Sequence, residues 1–376
     1  MCGVGSPELP SGRPAPAILH VSWGFGTGGA EVRLARLANA FGRRYEHWLA
    51  PLSGELSITR RFAPGVAWRA VQAPQPASAA AFARLIRRLR PALVQTYNWG
   101  AIDAAAGAVL ARAPLLHTED GFGADEADGP KARRVWARRL VLPFARRVAV
   151  PSETLEQIAL NLYRLPRRKV VRIPNGVDTS VFFPGRNDAL RAELGIGPEE
   201  FVAGTVGHLR PEKNLAFLLR AFAAAQIPAS RLVICGRGAE EGPLGELARE
   251  LGLGGRVLFA GEVDPAPWYR MFDLFVMSSL TEQMPLALLE AMASGLAALC
   301  TDAGDTAAML ASPDLPAIVP RGDFGGYVRA LREWASNPSL RQAAGARHRA
   351  RCEREFSLEK MVERWAALYE ECLAAK

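Results

Sequence analysis

The chain has 376 residues, of which 49% are hydrophobic and 22% charged, and these proportions exclude a disordered, collagen-like or coiled-coil protein. At about 150 residues per domain, this length predicts two domains with separate cores. The sequence has no uninterrupted apolar run of the roughly 18 residues that a membrane span needs. Residues 1–17 lack the charged-then-apolar order of a signal peptide, so we expect a flexible tail there.

The cysteines and the distribution of charge indicate the compartment of the protein and the charge of its partner. The five cysteines are scattered without a Cys-x-x-Cys pair, which argues against a disulfide framework or a structural zinc site and indicates a reducing compartment. The net charge of +8 is concentrated in residues 130–172, which hold 12 basic and 2 acidic residues, so the rest of the chain carries −2. One segment, rather than the whole chain, is therefore expected to have an anionic partner.

In the first half, short apolar runs alternate with helical patterns. The runs predict strands at residues 18–23, 47–52, 92–97, 115–118 and 147–150, and the patterns predict helices at 31–41, 80–90, 104–112 and 132–144. Ser152 is the expected N-cap of a further helix. This alternation is typical of a parallel sheet with helices on both faces.

A Pro-Asn-Gly turn at residues 174–176 interrupts the alternation, which then resumes. Strands are predicted at 202–209, 231–235, 256–259, 274–277 and 298–301, and helices at 215–225, 285–294 and 358–374. The simplest interpretation is an α/β protein of two doubly wound units joined near Gly176. Because ligands of such sheets bind at the carboxyl ends of the strands, we expect the ligand in a cleft between the units.

A glycine-rich loop follows the first strand. Gly24-Phe-Gly-Thr-Gly-Gly29 matches G-x-G-x-x-G and opens a helix, as in a dinucleotide-binding fold. That interpretation needs an acidic residue at the end of the second strand, and the nearest one, Glu55, lies beyond it. A Rossmann oxidoreductase is therefore disfavoured, and the glycines indicate either an anion seat at a helix N-terminus or a plain tight turn.

Two glutamates mark the most informative segment, residues 279–295. Glu282 precedes a predicted helix, Pro285 suits its first turn, and Glu290 lies about a turn and a half inside it. The free N–H groups of residues 286–288 would point out of the positive end of this helix. The pattern predicts a seat for a phosphorylated ligand that carries hydroxyls; for Glu290 alone, a solvated position on an amphipathic helix is the alternative.

This segment resembles the E-x₇-E signature of glycosyltransferase family 4, the retaining enzymes of GT-B fold. Other segments resemble further motifs of that family, in its order: G-G-A-E at 28–31, I-P-N-G-V-D at 173–178, G-H-L-R-P-E-K-N at 207–214, C-G-R-G at 235–238 and T-D-A-G at 301–304. The resemblance covers nearly the whole chain from Ile18.

The resemblance implies a GT-B fold, which is α/β with two doubly wound Rossmann-like domains facing across a cleft and a C-terminal helix crossing back to the first domain. Residues 18–176, with the returning helix 358–376, would form the acceptor-side domain. Residues 177–357 would form the domain that binds a nucleotide-sugar donor.

By the same resemblance, His117 would lie near the sugar, Glu282 would bind the hydroxyls of the donor sugar, and Lys213 would neutralise the leaving diphosphate. Glu290 would bind the ribose. The rest of the implied donor-binding set is Gly28, Gly29, His208, Arg210, Gly261, Met284, Pro285, Leu286 and Ala287. For His117, a packed and hydrogen-bonded core histidine is the alternative.

One position departs from the family pattern. Where the family has arginine in G-R-L, this chain has His208, so the diphosphate would be met either by Arg210 or by a neutral hydrogen bond from His208. The chain has no Asp-x-Asp pair, so we expect no metal and no cofactor, with Lys213 and helix dipoles in place of a divalent cation. Retention would proceed by front-face displacement, with Glu282 binding the sugar rather than attacking it.

The implied function is a retaining, metal-independent, hexosyl-type glycosyltransferase. Its donor would be a nucleotide-diphosphate sugar, with UDP favoured and GDP allowed, and its acceptor a lipid-linked molecule or a glycan in polysaccharide or glycolipid synthesis. Two alternatives stay open: a nucleotide-sugar epimerase of GT-B fold, and a non-catalytic protein that binds sugar nucleotides.

The basic segment predicts where such an enzyme would work. Trp136, Leu140 and Phe144 recur at four-residue spacing among arginines that include Arg134, Arg138 and Arg139, a mixture typical of a helix lying on an anionic membrane. The alternative is a solvated basic helix whose aromatic face belongs to the core. No nucleic-acid-binding module is recognised, so we expect a cytoplasmic enzyme, peripheral at the inner face of the plasma membrane.

Overall fold

The structure is a computed structural model that describes residues 14–26, 28–122, 126, 129–311 and 317–374. Most of the expected flexible tail, residues 1–17, lies outside the described residues. The chain divides into two compact units. Unit 1 comprises Met1–Pro174 and Val362–Lys376, and unit 2 comprises Asn175–Met361.

Unit 1 is built on one parallel sheet. Its described strands are β1 (Ala17–Ser22), β2 (Glu46–Pro51), β3 (Trp68–Ala70), β4 (Leu93–Tyr97), β5 (Leu115–Thr118), β6 (Arg147–Val150) and β7 (Val170–Arg172). They lie in the order β3-β2-β1-β4-β5-β6-β7, and Ile18 of β1 pairs with His47 of β2 on one side and Leu93 of β4 on the other. The central strands are almost continuously buried because helices cover both faces of the sheet.

The described helices of unit 1 alternate with these strands. They are α1 (Gly29–Phe41), α2 (Ala79–Leu89), α3 (Ile102–Ala111), α4 (Ala132–Val141) and α5 (Glu153–Gln157). Ser152 caps α5, as predicted, because its Oγ accepts a hydrogen bond from Leu155 N at 3.1 Å. The core of the unit lies between the sheet and these helices.

Unit 2 repeats the plan with its own sheet. Its described strands are β8 (Phe201–Val206), β9 (Ser230–Cys235), β10 (Val257–Gly261), β11 (Leu274–Met277), β12 (Ala298–Thr301) and β13 (Ile318–Val319), in the parallel order β10-β9-β8-β11-β12-β13. The reversal between β8 and β11 is the kind of switch point at which open α/β sheets bind ligands.

The helices of this half are α6 (Asp188–Glu193), α7 (Leu215–Ala225), α8 (Glu241–Glu250), α9 (Pro265–Tyr269), α10 (Leu286–Ala293), α11 (Thr306–Leu310), α12 (Phe324–Ser336), α13 (Pro338–Glu355) and α14 (Leu358–Ala374). From Val362 onward, α14 belongs to unit 1. There the Tyr369 hydroxyl donates to Gln95 Oε1 at 2.7 Å, and the Arg33 guanidinium lies 5.3 Å from the centroid of the Trp365 ring.

The predicted α/β class with two doubly wound units is confirmed. The bounds of β5, β6, β11, β12, α7 and α14 coincide with the predicted ones. Strand β3 was not predicted, because its three residues are exposed and form no apolar run. Pro285 precedes the first residue of α10 instead of lying within its first turn.

Gly176 fixes the start of unit 2 by its lack of a side chain. A Cβ at this position would lie 2.8 Å from Met361 Cβ and 2.9 Å from Leu358 Cα, closer than atoms can approach. The next residue, Val177, accepts a hydrogen bond from Leu358 N at 3.0 Å and donates one to Phe356 O at 2.9 Å. The glycine of the Pro-Asn-Gly turn therefore lets the chain pair backbone to backbone with the start of α14.

Two buried histidines, His20 on β1 and His47 on β2, contact each other in unit 1. His20 Nε2 lies 3.0 Å from His47 Nδ1, and His20 Nδ1 lies 2.9 Å from the Tyr97 hydroxyl. Burial lowers the pKa of His47 to about 4, and burial together with the neighbouring His47 lowers the pKa of His20 well below its usual value. Both rings are therefore neutral in the folded protein at neutral pH.

We predict that acid destabilises unit 1. Between about pH 6.5 and pH 4 the unfolded chain binds protons at His20 and His47 that the folded unit excludes, so the free energy of unfolding falls as the pH falls through this window. The His47 shift alone corresponds to about 3 kcal/mol. Urea unfolding of unit 1 at a series of pH values measures the slope. A His47→Gln variant should lose much of it, and an unchanged slope would contradict the assignment.

Candidate functional site

At the carboxyl edge of the unit 2 sheet, the loops that follow β8, β11 and β12 are joined by hydrogen bonds. The Ser278 hydroxyl lies within hydrogen-bond distance of both Lys213 O, at 2.9 Å, and Asn214 O, at 3.0 Å. The Thr301 hydroxyl donates to Ser279 O at 2.6 Å, and Asp305 N donates to Gln283 O at 2.9 Å. The backbones that carry Lys213 and Glu282 are therefore locked together.

Lys213 and Glu282 form an ion pair on this frame. Lys213 Nζ donates to Glu282 Oε1 at 2.5 Å, and the Ser279 hydroxyl donates to the same oxygen at 2.8 Å. The side chain of Lys213 is 29% exposed and that of Glu282 10%. The structure thus brings two of the three predicted catalytic side chains into direct contact, one turn before α10.

Glu290 lies behind this pair on α10 and is buried. The hydroxyl of Tyr269 lies 3.3 Å from Glu290 Oε2 and 3.0 Å from Ala287 O, so its single proton can be donated to either. Burial and this neighbour favour one orientation of the Glu290 carboxyl. The alternative of a solvated Glu290 is wrong.

The residues just before α10 are held by the Pro-Asn-Gly turn. Asn175 Nδ2 donates to Met284 O at 2.9 Å, and Asn175 N lies 3.1 Å from Met284 Sδ. Pro285, Leu286 and Ala287 follow at the start of the helix, where backbone N–H groups lack partners within the helix. Asn175 was not among the predicted site residues, yet its side chain fixes the loop that presents the helix N-terminus.

The loop that carries His208 and Arg210 packs against the glycines of C-G-R-G. A Cβ at Gly236 would lie 1.9 Å from Gly207 O, and a Cβ at Gly238 would lie 2.2 Å from Leu209 O. Leu209 N also donates to Arg237 O at 2.9 Å. These glycines therefore serve the packing of two loops against each other.

His208 and Arg210 are the two residues that could replace the family arginine. Arg210 is the more exposed of them, with 58% of its side chain exposed, and its Nη1 lies 3.9 Å from Glu212 Oε1. Gly261, which ends β10, has a positive φ of 71° and accepts a hydrogen bond from Gly236 N at 2.7 Å. A Cβ at Gly261 would lie 3.2 Å from the Arg237 guanidinium. Arg237 is thus an exposed cation at this edge that the sequence analysis did not assign.

In unit 1, the glycine loop ends at the N-terminus of α1. Gly28 is the N-cap and Gly29 the first helical residue. A Cβ at Gly28 would lie 2.6 Å from Glu31 Oε2, so the carboxylate of Glu31 folds back over the helix N-terminus, where it meets the positive end of the helix dipole. Gly28 makes room for this acid, which already occupies the region that was expected to hold a ligand's phosphate.

The prediction that His117 lies near the sugar stays a prediction, and the structure shows what its ring contacts in unit 1. Its side chain is completely buried within unit 1, with Nδ1 at 2.8 Å from the Thr96 hydroxyl and Nε2 at 3.4 Å from Glu119 Oε2. Burial opposes ionisation of Glu119, but the hydrogen bonds that His117 and Arg138 donate outweigh it and lower its pKa to about 2. His117 is therefore a hydrogen-bonded core residue that helps hold the Glu119 carboxylate.

An ion pair unforeseen from sequence lies at the same edge of unit 1. The Asp120 carboxylate, just beyond β5, accepts two hydrogen bonds from the Arg33 guanidinium of α1, one of them at 2.8 Å. Asp120 N in turn donates to Asn98 Oδ1 at 2.6 Å. Two carboxylates, Glu119 and Asp120, therefore follow β5 directly, and each is paired with an arginine.

Helix α4 has two unlike faces. The outer one presents Trp136 and Leu140, and the 3₁₀ turn that follows at Leu142–Phe144 presents Phe144. These side chains are 60%, 68% and 69% exposed, so the alternative in which they form core is wrong. No helix within the described ranges is long and apolar enough to cross a bilayer.

The inner face of α4 carries arginines. Arg138 is completely buried and donates to both oxygens of Glu119, at 2.7 and 2.8 Å. Arg134 pairs with Glu126 at 2.7 Å, and Arg139 donates to Leu162 O at 2.8 Å. The expectation that Arg138 contacts a membrane is wrong because its side chain has no exposed surface.

A polar cavity of about 460 Å³ lies elsewhere in unit 2, at the opposite edge of its sheet. Its walls include Phe201, Asp273 and Ala297, which lie at or just before the amino ends of β8, β11 and β12. The paired charges of Lys213 and Glu282 are therefore not in this cavity. Across the described residues, no three His, Cys, Asp or Glu side chains cluster in a way that could hold a metal ion.

Two glycosyltransferase families match consecutive parts of the chain. Glycosyl transferases group 1 matches residues 186–351, and Glycosyltransferase Family 4 matches residues 27–181. The chain belongs to these glycosyltransferases. The first match contains Lys213, Glu282 and Glu290, and the second contains the glycine loop.

Curated relatives share the family but not the full length. The D-inositol 3-phosphate glycosyltransferase of Mycolicibacterium smegmatis is 29% identical over 278 residues, 69% of this chain and 62% of that protein. The enzyme of the same name from Rhodococcus opacus is 32% identical over 66% of this chain and 60% of its own length. The putative glycosyltransferase EpsF of Bacillus subtilis is 35% identical over 44% of each chain. The chain thus spans about three fifths or less of these relatives.

Solved structures share the fold. Sucrose-phosphate synthase from Thermosynechococcus elongatus superposes with a TM-score of 0.78 at 20% identity, over 96% of this chain and 100% of that one. Anabaena HepE in complex with UDP-glucose gives a TM-score of 0.81 at 19% identity, over 94% and 99%. At such identities the likeness shows the fold of this glycosyltransferase and nothing finer.

We predict that Gly236→Ala destabilises unit 2. The added methyl would overlap Gly207 O, and the positive φ of 136° at this position is unfavourable for alanine, so we expect a loss of about 2–4 kcal/mol in the free energy of unfolding. Gly245→Ala in α8 is the matched control, since nothing lies within 4 Å of its Cβ position, and it should be neutral or stabilising by up to about 1 kcal/mol. Thermal unfolding measures both; equal melting temperatures would contradict the packing role.

Proposed function

We propose that this glycosyltransferase moves a hexosyl group from a nucleotide-diphosphate sugar to a lipid-linked or glycan acceptor, with retention of configuration. The observation that carries the proposal is the contact of Lys213 with Glu282 directly before α10, with Glu290 buried behind it. One cation, one carboxylate near the surface and one fixed carboxylate inside correspond to the three parts of such a donor: diphosphate, sugar and ribose.

The diphosphate would be bound by Lys213 and by the N–H groups at the start of α10. A lysine is a point cation that suits a phosphate whose charge grows as the bond to the sugar breaks. The positive end of α10 adds to it, and its loop is held by the bond of Asn175 to Met284 O. Arg210 or His208, with Arg237, would complete the cationic side, and we propose that the reaction needs no metal.

Glu290 would accept hydrogen bonds from the two ribose hydroxyls. A carboxylate is suited to this because it offers two acceptor oxygens. Tyr269 keeps the carboxyl of Glu290 in one orientation, so the ribose would meet a preorganised partner. Tyr269 acts through Glu290 and is a positioning residue.

Retention would follow from displacement on the face of the sugar that the diphosphate leaves. The bond between the anomeric carbon and the diphosphate oxygen breaks, the bond from the acceptor oxygen to that carbon forms, and the acceptor's proton passes to the departing diphosphate. Lys213 would stabilise the charge on the leaving group, while Glu282 would hold sugar hydroxyls. No residue needs to form a covalent bond to the sugar.

UDP is the favoured nucleotide. Two structures of similar fold, both of Anabaena HepE, contain UDP with glucose and UDP-glucose. GDP remains the second nucleotide to be tested.

The acceptor would be reached at an anionic membrane. Trp136, Leu140 and Phe144 project from α4 and the turn that follows it, in the most basic segment of the chain. Aromatic side chains among cations favour the interface of anionic lipids. Arg134 and Arg138 point inward and anchor the helix. We therefore propose a peripheral enzyme at the cytoplasmic face of the plasma membrane, in polysaccharide or glycolipid synthesis.

We predict that Glu290→Ala raises the donor KM at least about tenfold or abolishes transfer, because a charge-assisted pair of hydrogen bonds to the ribose is lost. Tyr269→Phe should raise the KM by a smaller factor. Glu200→Gln, which removes an acid bonded to Arg231 on the amino-terminal side of β8, is the matched control. Initial rates with UDP- and GDP-sugars against a panel of lipid-linked acceptors test this, and unchanged kinetics for Glu290→Ala would refute the assignment. Conversion of the sugar with donor alone would indicate an epimerase instead.

We predict that the combined variant Trp136→Ser, Leu140→Ser, Phe144→Ser loses membrane binding by at least about tenfold, since each buried apolar side chain contributes on the order of 1–3 kcal/mol. Co-sedimentation with phosphatidylglycerol vesicles, compared with phosphatidylcholine vesicles, measures it. Leu110→Ser, which removes another exposed leucine of unit 1, is the control. Wild-type binding that depends on neither anionic lipid nor salt would argue against the membrane proposal.

A further inference from the structure

In the proposed diphosphate site, the positive charge of Lys213 is already compensated by the negative charge of Glu282. Lys213 Nζ is 2.5 Å from Glu282 Oε1, and that oxygen is also held by Ser279. Lys213 is not an unpaired cation that a diphosphate could simply bind. To bind there, the diphosphate must replace the Glu282 carboxylate as the partner of Lys213.

The pair is built into the backbone. Ser278 ties the end of β11 to the carbonyls of Lys213 and Asn214, and Leu280 N donates to Glu212 O at 2.8 Å. On the other side, a Cβ at Gly304 would lie 2.2 Å from Glu282 O, so the loop after β12 presses directly on the backbone of Glu282. Neither charged residue can withdraw by moving its loop, and the exchange of partners must be made by the side chains.

We infer that Glu282 makes this site prefer an intact nucleotide-diphosphate sugar over the spent nucleoside diphosphate. The inference rests on the proposed function. When a sugar nucleotide binds, its diphosphate takes Lys213 and its sugar hydroxyls donate to the released Glu282 carboxylate, so both charges keep partners. When a nucleoside diphosphate binds, Lys213 is taken and the carboxylate keeps only the Ser279 hydroxyl, without the sugar hydroxyls, beside an anion, which is costly in a mostly buried position.

The charges of the two ligands act in the same direction. A terminal phosphate carries up to about one more negative charge near pH 7 than a phosphate esterified to a sugar, so the carboxylate repels the product more than the donor. After transfer, Glu282 recaptures Lys213 and promotes release of the nucleoside diphosphate. Glu282 is thereby a residue that sets specificity between donor and product, in addition to its proposed contact with the sugar.

The test is titration calorimetry with UDP and UDP-glucose, and with GDP and GDP-mannose, without acceptor. For Glu282→Gln, which keeps the shape and the bond from Ser279 but not the charge, we expect the nucleoside diphosphate to bind about 5- to 20-fold tighter than to wild type. The preference for the sugar nucleotide should shrink accordingly. The ratio of the two dissociation constants comes from one preparation and does not depend on its folded fraction.

Two further variants isolate the cause. Glu200→Gln removes the same charge from unit 2 at the opposite edge of the sheet and should leave both affinities unchanged. In a Lys213→Met background, Glu282→Gln should give a smaller gain, because only the direct repulsion between carboxylate and product is removed there and no cation is released.

The outcomes separate this inference from the proposed function. If wild type binds the nucleotides but Glu282→Gln binds the nucleoside diphosphate no more tightly, the inference is overturned and the proposed function stands. An equal gain with and without Lys213 overturns it as well. If wild type binds none of the four nucleotides, the proposed donor class fails, and this inference fails with it.

Discussion

Close approach of backbone to backbone is the constraint on which the unit 2 site depends. Gly236, Gly238 and Gly304 each stand where a Cβ would lie about 2 Å from a carbonyl oxygen of a neighbouring loop. Because these three positions have no side chain, the loops after β8, β9, β11 and β12 meet at one edge of the sheet. Lys213 and Glu282 are carried on two of these loops, and each of the two loops packs against a glycine of its neighbour, while Ser278 and Leu280 join them to each other by hydrogen bonds.

At the same edge, hydrogen bonds hold the charged side chains in defined positions without a deep cavity around them. Glu282 is held by Lys213 and Ser279, and Glu290 by Tyr269. Each carboxylate thus has a neutral hydroxyl partner that fixes its position without cancelling its charge. A ligand that displaces Lys213 would still find both acids in place, which is the preorganisation that binding of a flexible sugar nucleotide requires.

Sequence patterns predicted the strands, the junction near Gly176 and the paired glutamates, because apolar runs, glycine turns and motif spacing are local signals. They did not predict partners that are distant in sequence. The position of His117 at the end of a strand says nothing of Thr96, which lies 21 residues away and hydrogen-bonds to its ring. Tyr269 could not be found from its spacing, since it lies 21 residues from Glu290 in a separate helix.

Helix α4 shows how one segment can carry both a structural and a surface role. Its arginines were counted as a single basic patch in the sequence, but Arg138 and Arg134 are paired with Glu119 and Glu126 and add no net charge outward. The outward face is instead aromatic and aliphatic. Because Glu119 also follows β5 directly and precedes Asp120, the buried pair of Arg138 with Glu119 ties the inner face of α4 to the carboxyl end of β5 by two charge-assisted hydrogen bonds.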